Sequence, residues 1–174
     1  MSQTRYRLCI AAENAFMLYF EQRIAADISA TVQLACKLIR NSLGTDLVDL
    51  LPSYASVLVQ FNALTTDHPT VQQQLEQCLQ QLSAEPLAAG KLVELPVYYS
   101  EQSGPDLSLI ARTKGISVDD VITRHQQPRY RVYAIGFAPG FAYLGELDPM
   151  LQLPRLATPR ARVPRGAVAI ADRQ

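Results

Sequence analysis

The sequence predicts a protein of the α+β class with two domains in 174 residues. Short apolar stretches with the pattern of strands occur in pairs, and amphipathic helical stretches separate those pairs. Another short apolar stretch follows the second of these helices. Two strand pairs, two helices and a returning strand are typical of a ferredoxin-like α/β sandwich, which we expect over residues 1–98.

The first strand pair is predicted at residues 5–10 and 15–20, joined by a polar turn at Glu13 and Asn14. Residues 22–41 follow as an amphipathic helix. The apolar face of this helix consists of Ile24, Ile28, Val32, Ala35 and Ile39. A glycine shortly after the last of these residues, Gly44, marks the expected helix end.

The second strand pair is predicted at residues 47–51 and 54–61. The next helix is expected to begin at Thr66 or Asp67, because both side chains can cap a helix and Pro69 fits its first turn. Its buried face is predicted to consist of Val71, Leu75, Cys78, Leu79 and Leu82. The two strand pairs and two helices therefore alternate along the first half of the chain.

The returning strand is predicted at residues 91–99, and Pro96 places part of it at a sheet edge. The polar stretch SEQSGPD at residues 100–106 then marks a boundary between domains. We accordingly expect one domain over residues 1–98 and a second over residues 99–174.

Two short helices open the predicted second domain. The first, LSLIART, ends near Gly115, and the second, VDDVITRH, begins after Ser117 with Asp120 in the place of a capping-box glutamate. Near the end of the chain, GAVAIA at residues 166–171 has the character of a buried strand.

The stretch GFAPGFAYLG follows a predicted strand at residues 129–137. In that strand Tyr130, Val132 and Ala134 alternate with Arg131, Tyr133 and Ile135. The pair Pro139 and Gly140 fits the centre of a type II turn, because proline presets φ and glycine accepts a positive φ. Three aromatic residues flank the turn: Phe137, Phe141 and Tyr143. The pattern favours a rigid loop of the kind that builds binding sites, although a plain turn beside core aromatics explains it as well.

Net charge, cysteine spacing and hydropathy argue against several classes of protein. The net charge is zero, which argues against nucleic acid as a partner. Three widely spaced cysteines indicate neither a disulfide framework nor a metal site, and they suit a reducing cytoplasm. The start of the sequence does not resemble a signal peptide, and no apolar run is long enough to span a bilayer.

Five arginines follow residue 150, and three of them stand directly after prolines, at Arg155, Arg160 and Arg165. These Pro-Arg pairs favour extended chain that displays guanidinium groups, which suit a carboxylate or phosphate. A solvated basic face is the alternative. His125 ends a predicted helix, where it has either a structural role near the helix C-terminus or a role in a site.

Several autonomous catalytic motifs are missing from the sequence. The glycines of GFAPGF lack the lysine and spacing of a phosphate-binding loop, and no G-x-S-x-G elbow or zinc-binding cluster occurs. We therefore expect no metal ion, and a chain that is poorly equipped to catalyse a reaction alone.

Two long motifs resemble one protein family. H-x4-Y-x-V-Y-x2-G-F-x-P-G-F-x-Y-L runs from His125 to Leu144, and P-R-x3-P-R-x2-V-P-x-G-x-V-A-I-A runs from Pro154 to Ala171. Together with GPDL at residues 104–107 and G-I-S-x-D-D-V-I at residues 115–122, they resemble the family that includes the B-type subunit of 5-oxoprolinase, allophanate hydrolase subunit 1 and the KipI-type sporulation kinase inhibitor. The resemblance extends over effectively the whole chain.

The resemblance implies an N-terminal α/β domain followed by a cyclophilin-like β-barrel. It also implies a cytoplasmic hydrolase subunit that works with 5-oxoprolinase subunits A and C, hydrolysing 5-oxo-L-proline to L-glutamate at the expense of ATP. This chain has no nucleotide loop of its own, so ATP would be bound by the assembled complex. The candidate substrate-binding residues are His125, Phe137, Pro139, Gly140, Phe141, Tyr143, Arg155 and Arg160.

The sequence departs from the family pattern at two places. Arg165, Ala167 and Asp172 stand where the family usually has alanine, serine and glycine, which removes one hydroxyl contact. The family also continues beyond the position of Gln174, so the barrel is expected to be incomplete. An unpaired strand at residues 166–171 would then cause self-association or displacement of the chain after about Pro154.

Two other functions remain open at this level. One is a KipI-like inhibitor that binds a sensor histidine kinase, and the other is allophanate hydrolase subunit 1. The second lacks the amidase signature that independent activity would need.

Overall fold

The computed structural model describes residues 6–82 and 90–174, which form a mixed fold of α-helices and antiparallel β-sheet. Four α-helices occur within these residues. The chain divides into two compact units. The described part of the first unit covers residues 6–82, Gly90 and 133–140, and the second unit covers residues 91–132 and 141–174. The predicted domain boundary after residue 98 stays a prediction.

The first unit is built on a four-stranded sheet. Its elements are β1 (Arg7–Ala12), β2 (Ala15–Tyr19), α1 (Ala26–Leu43), β3 (Leu47–Pro52), β4 (Ser56–Phe61) and α2 (His68–Leu79). The strand order is β1-β2-β4-β3, and every neighbouring pair is antiparallel. Both predicted strand pairs are therefore confirmed as hairpins, which meet along β2 and β4.

The predicted apolar face of α2 is confirmed. Four of its predicted members lie on the helix and are buried, and the fifth, Leu82, is buried just beyond the helix end: Val71, Leu75, Cys78, Leu79 and Leu82. Asp67 caps the helix by accepting a hydrogen bond from the backbone N–H of Thr70 at 2.9 Å, with Pro69 in the first turn as expected. These residues join the main apolar core of the unit.

The helix α1 begins four residues later than predicted. Ile24 therefore precedes the helix and is partly exposed, so its predicted place on the buried face is wrong. Ile28, Val32, Ala35 and Ile39 are buried, as expected from their spacing. The helix ends at Gly44, whose φ of +50° lies in the region that favours glycine.

The second unit contains two short helices around a smaller core. They are α3 (Leu107–Lys114) and α4 (Val118–Gln126). Gly115 ends α3 in the left-handed conformation, and Ser117 with Asp120 forms a complete capping box at the start of α4. The buried core of this unit consists of Leu107, Ala111, Val121, Leu147 and Leu151.

A separate two-stranded sheet consists of β5 (Arg131–Ile135) and β6 (Ala142–Gly145). The strand β5 is shorter than the predicted span of 129–137. The predicted alternation places Tyr133 and Ile135 on the same face of this strand. Tyr133 is buried and Ile135 is exposed, as is Val132 on the other face, so neither face is uniformly buried.

Two predicted strands are wrong. Residues 91–99 and 166–171 are in neither helix nor strand, and the latter stretch is not buried, with Val168 53% exposed. A strand needs the N–H and C=O groups of a neighbour, and within the described residues no ladder includes either stretch. The end of the second stretch is fixed instead by single contacts, such as the bond from the N–H of Asp172 to the carbonyl of Leu153 at 2.8 Å.

None of the helices that the structure describes combines the length and apolar character needed to cross a membrane.

Candidate functional site

Gly140 in the GFAPGF stretch has the positive φ, +78°, that the predicted type II turn needs at this position. Phe137 also has a positive φ, +67°, although it is not a glycine, and its side chain is 89% exposed. A side chain at positive φ costs about 1–2 kcal/mol. Such strain is concentrated at functional sites, which supports a role for this loop in binding.

Two of the predicted aromatic residues lie against each other in the second unit. The rings of Phe141 and Tyr143 meet edge to face with their centroids 5.0 Å apart. Phe141 remains 43% exposed, so part of this aromatic pair lies at the surface of the unit.

His125 lies in the last turn of α4, within a cluster of two tyrosines. The Tyr99 hydroxyl is 2.5 Å from His125 Nδ1, and the two rings meet edge to face. The Tyr130 hydroxyl donates to the backbone carbonyl of His125 at 2.8 Å. Burial lowers the pKa of His125 and raises the pKa of Tyr99, so both side chains are held in their neutral forms.

Arg160 makes a bidentate ion pair with Asp106, the residue before α3. The nitrogen–oxygen distances are 2.5 and 2.6 Å. The hydrogen bonds from Arg160 lower the pKa of Asp106 below its usual range. The guanidinium fork that the sequence predicts for a ligand carboxylate therefore holds a carboxylate of the chain itself.

The remaining predicted arginine, Arg155, is exposed, as are Arg162 and Arg165. Residues 154–165 are neither helical nor in a strand, so the exclusion of a helix by the Pro-Arg pairs is confirmed, and the extended display of the arginines stays a prediction. The cluster around His125 and the pair of Arg160 with Asp106 both belong to the second unit, as do Phe141 and Tyr143. Phe137, Pro139 and Gly140 belong to the first unit.

Sequence reasoning missed two residues as members of the candidate site, Tyr99 and Asp106. Tyr99 was assigned to the predicted strand at residues 91–99, whose apolar pattern gave no sign of a polar contact. Asp106 lies in the GPDL motif, which offered a signal, since a charged residue within a family motif is a candidate for pairing with the arginines.

The parts of the chain that the structure describes contain no group of three or more histidine, cysteine, aspartate or glutamate side chains placed to hold a metal ion. Cys36 and Cys78 are buried, and burial raises the pKa of Cys36 to about 11. These two thiols are suited to the apolar core of the first unit.

An open cavity of about 360 Å³ lies between α1 and α2. It is lined by Leu38, Asn41, Ser42, Gln77, Cys78 and Gln81. None of the predicted site residues contributes to it. Cavity size alone therefore does not identify the candidate site.

Comparison with known proteins identifies the family. The family described as "Carboxyltransferase domain, subdomain C and D" matches residues 6–174. The B-type subunit of 5-oxoprolinase from Bacillus subtilis (strain 168) is 28% identical over 180 residues, which cover 98% of this chain and 75% of that protein. The B-type subunit of 5-oxoprolinase from Haemophilus influenzae is 37% identical over 129 residues, which cover 74% of this chain and 60% of that protein.

Among solved structures, the protein TTHA0988 has a similar fold. Its TM-score is 0.78 at 33% sequence identity, and the match covers 91% of this chain and 31% of that chain. The chain thus spans three quarters or less of the length of each of these relatives. Because the family match extends over residues 6–174, the chain belongs to the carboxyltransferase family of subdomains C and D, among the relatives of the 5-oxoprolinase B-type subunits that its motifs resemble.

Proposed function

We propose that this chain acts as the B-type subunit of an ATP-dependent 5-oxoprolinase, which hydrolyses 5-oxo-L-proline to L-glutamate in the cytoplasm together with subunits A and C. The observation that carries the proposal is the shared name of three curated relatives from three bacteria, each of which is a B-type subunit of 5-oxoprolinase. The reaction adds water across the ring amide, so that the ring nitrogen becomes the amine of glutamate and the carbonyl becomes its side-chain carboxylate.

In architectural terms we propose the ferredoxin-like and cyclophilin-like descriptions for residues 1–98 and 99–174 respectively. Support for the first comes from the antiparallel sheet and its two packed helices. Support for the second comes from the family motifs alone, since β5 and β6 are the two strands among the described residues of that range.

A shared enzyme fits the chemistry that this sequence carries. The sequence lacks a phosphate-binding loop, so the ATP would be bound by residues of another subunit. The groups this chain offers are cationic and aromatic. Arg155 and Arg160 suit the substrate carboxylate or a phosphorylated intermediate, and the rings of Phe137, Phe141 and Tyr143 suit the exclusion of water.

The ion pair with Asp106 sets a condition on Arg160. A ligand carboxylate can take both guanidinium N–H groups only if Asp106 releases them. The pair keeps the fork oriented before the ligand arrives, which reduces the entropy lost on binding.

The test is co-expression with candidate A and C subunits, followed by an assay of ATP hydrolysis that depends on 5-oxo-L-proline. We expect turnover by the complex and none by the purified chain. Robust turnover by the chain alone would contradict the shared site. Inhibition of a sensor histidine kinase, without 5-oxoprolinase activity in the complex, would favour the KipI-like alternative instead.

A further inference from the structure

The contact between Tyr99 and His125 joins two distant parts of the second unit. Tyr99 follows an exposed apolar stretch, and His125 lies at the end of α4, 26 residues later. Within the described residues, the Tyr99 hydroxyl reaches no hydrogen-bonding partner besides His125 Nδ1. The contact of 2.5 Å places the Tyr99 oxygen and His125 Nδ1 within hydrogen-bonding distance.

The acidity of the two groups decides which one donates. A phenol, with a pKa of about 10, is a far better donor than the N–H of a neutral imidazole, and the bare imidazole nitrogen is a far better acceptor than a phenol oxygen. The favoured arrangement therefore has the Tyr99 O–H donating to an unprotonated Nδ1. The single proton of the neutral ring must then be on Nε2.

The other groups around His125 agree with a neutral ring. The Tyr130 hydroxyl donates a hydrogen bond to the backbone carbonyl of His125, which holds the backbone from which the imidazole ring extends. On the same helix, Arg124 pairs with Asp148 at 2.8 Å. Burial lowers the pKa of His125 and keeps the imidazole neutral.

The second ring nitrogen of His125, Nε2, can donate a hydrogen bond to a ligand. Within the part of the chain that the structure describes, no hydrogen bond reaches His125 Nε2. We propose that Tyr99 is a positioning residue that fixes His125 as the Nε2–H tautomer, so that the second unit presents a neutral imidazole N–H donor to a carbonyl or carboxylate oxygen of the ligand. The identity of that ligand rests on the proposed function, whereas the tautomer does not.

Nitrogen-15 NMR of the imidazoles tests the tautomer directly. The chain has two histidines, and His68 serves as an internal control because its Nε2 contacts the carbonyl of Ala12 at 3.1 Å in the first unit. We expect the Nδ1 of His125 to give the signal of an unprotonated nitrogen at neutral pH, and Nε2 the signal of an N–H. In Tyr99→Phe, His125 should become a mixture of tautomers with a higher pKa, while the His68 signals stay in place.

A protonated Nδ1 in the unaltered protein would overturn the proposal, and so would a Tyr99→Phe spectrum in which His125 does not change. If Tyr99→Phe fails to fold, the tautomer in the unaltered protein still decides the question.

The second measurement uses the complex with subunits A and C and 5-oxo-L-proline as the probe. His125→Gln can place an amide donor near the position of Nε2, whereas the shorter amide of His125→Asn lies nearer to that of Nδ1. We expect His125→Gln to retain more of the affinity for substrate, and Tyr99→Phe to raise KM roughly tenfold, the value of about one hydrogen bond. Equal KM values for all three variants and the unaltered protein would refute the role in ligand binding. A complex that shows no activity while the NMR result holds would instead refute the proposed function alone.

Discussion

The two units differ in how completely their strands find partners. In the first unit all four strands of the sheet are paired, and two helices cover its apolar residues. In the second unit long stretches, such as residues 91–99 and 152–174, are neither helical nor in strands. Leu95 is 72% exposed, whereas Leu75 in the first unit is fully buried. An alternating apolar stretch forms a buried strand only where another strand of the chain can pair with it through backbone hydrogen bonds.

The predicted site residues are also divided unequally between the two units. Most of the predicted site residues lie in the second unit, including His125, Arg155 and Arg160. Residues that bind are often held on irregular segments above a stable scaffold. We therefore expect substitutions in the first unit to change stability most, and substitutions in the second to change binding more.

The largest effect is expected from truncating the two cores. Phe61→Ala in the first unit should cost about 3–5 kcal/mol of unfolding free energy, and Leu151→Ala in the second about 2–5 kcal/mol, because both side chains are fully buried. Urea denaturation measures the unfolding free energy of the two variants, and hydrogen exchange shows which unit has lost protection. The Leu151 variant should lose protection in α3 and α4 while β2 and β4 keep theirs. Equal loss of protection in both units would contradict the idea that each unit has its own core. The neutral control is Leu64→Ala, at a residue that is 95% exposed.

The GFAPGF loop allows a sharper comparison at two glycines. Gly140→Ala should cost about 1–2 kcal/mol, because its φ of +78° is unfavourable for any side chain. Gly136→Ala is the matched control, since an added Cβ has open space at both positions and Gly136 has no positive φ. Thermal denaturation of the two variants should separate them clearly. If both lose the same stability, Gly140 does not adopt a positive φ in solution.

Capping of α4 is expected to have a smaller effect. Ser117→Ala removes the acceptor for the N–H of Asp120 and should cost about 1 kcal/mol. Thr113→Ala, on α3 in the same unit, is a control without a capping role. A loss in the Ser117 variant no greater than in the control would mean that the capping box does not stabilise the second unit.

The stability of the second unit should depend on pH through His125. Burial lowers its pKa in the folded protein, so the folded state resists a proton that the unfolded chain accepts. Above the unfolded pKa of about 6.5 the free energy of unfolding is not reduced by His125, and it falls as the pH drops below that value. Melting curves between pH 8 and about pH 5 should show this decline, and His125→Gln should reduce it. A decline of unchanged size in that variant would assign the effect to other groups.

The smallest effect on stability is expected for Arg160→Lys. The ion pair with Asp106 is exposed, and exposed pairs contribute little. In the complex with subunits A and C, however, the same variant should lower activity, because lysine keeps the charge but loses the bidentate fork. Arg162→Lys, at an exposed residue nearby, is the matched control. Equal kinetics for both variants would indicate that Arg160 belongs to a solvated face.

The local sequence determined much of what the structure shows. The cap of α2 at one of two neighbouring residues, of which the structure uses Asp67, the cap at Ser117 and the end of α3 at Gly115 are predicted by the sequence, because each depends on a few neighbouring residues. The family resemblance was likewise predicted from two long motifs, and the comparisons confirm it. The positive φ of Gly140 follows from the same local chemistry.

Only the tertiary structure decided which apolar stretches became strands and which polar side chains met. Residues 91–99 and 166–171 have the composition of strands, but pairing depends on a neighbour that composition cannot reveal. The contacts of Tyr99 with His125 and of Arg160 with Asp106 join residues 26 and 54 positions apart, respectively. The GPDL motif makes Asp106 a candidate for pairing, but which arginine it meets, and that Tyr99 meets His125, depends on the path of the whole chain between the two residues.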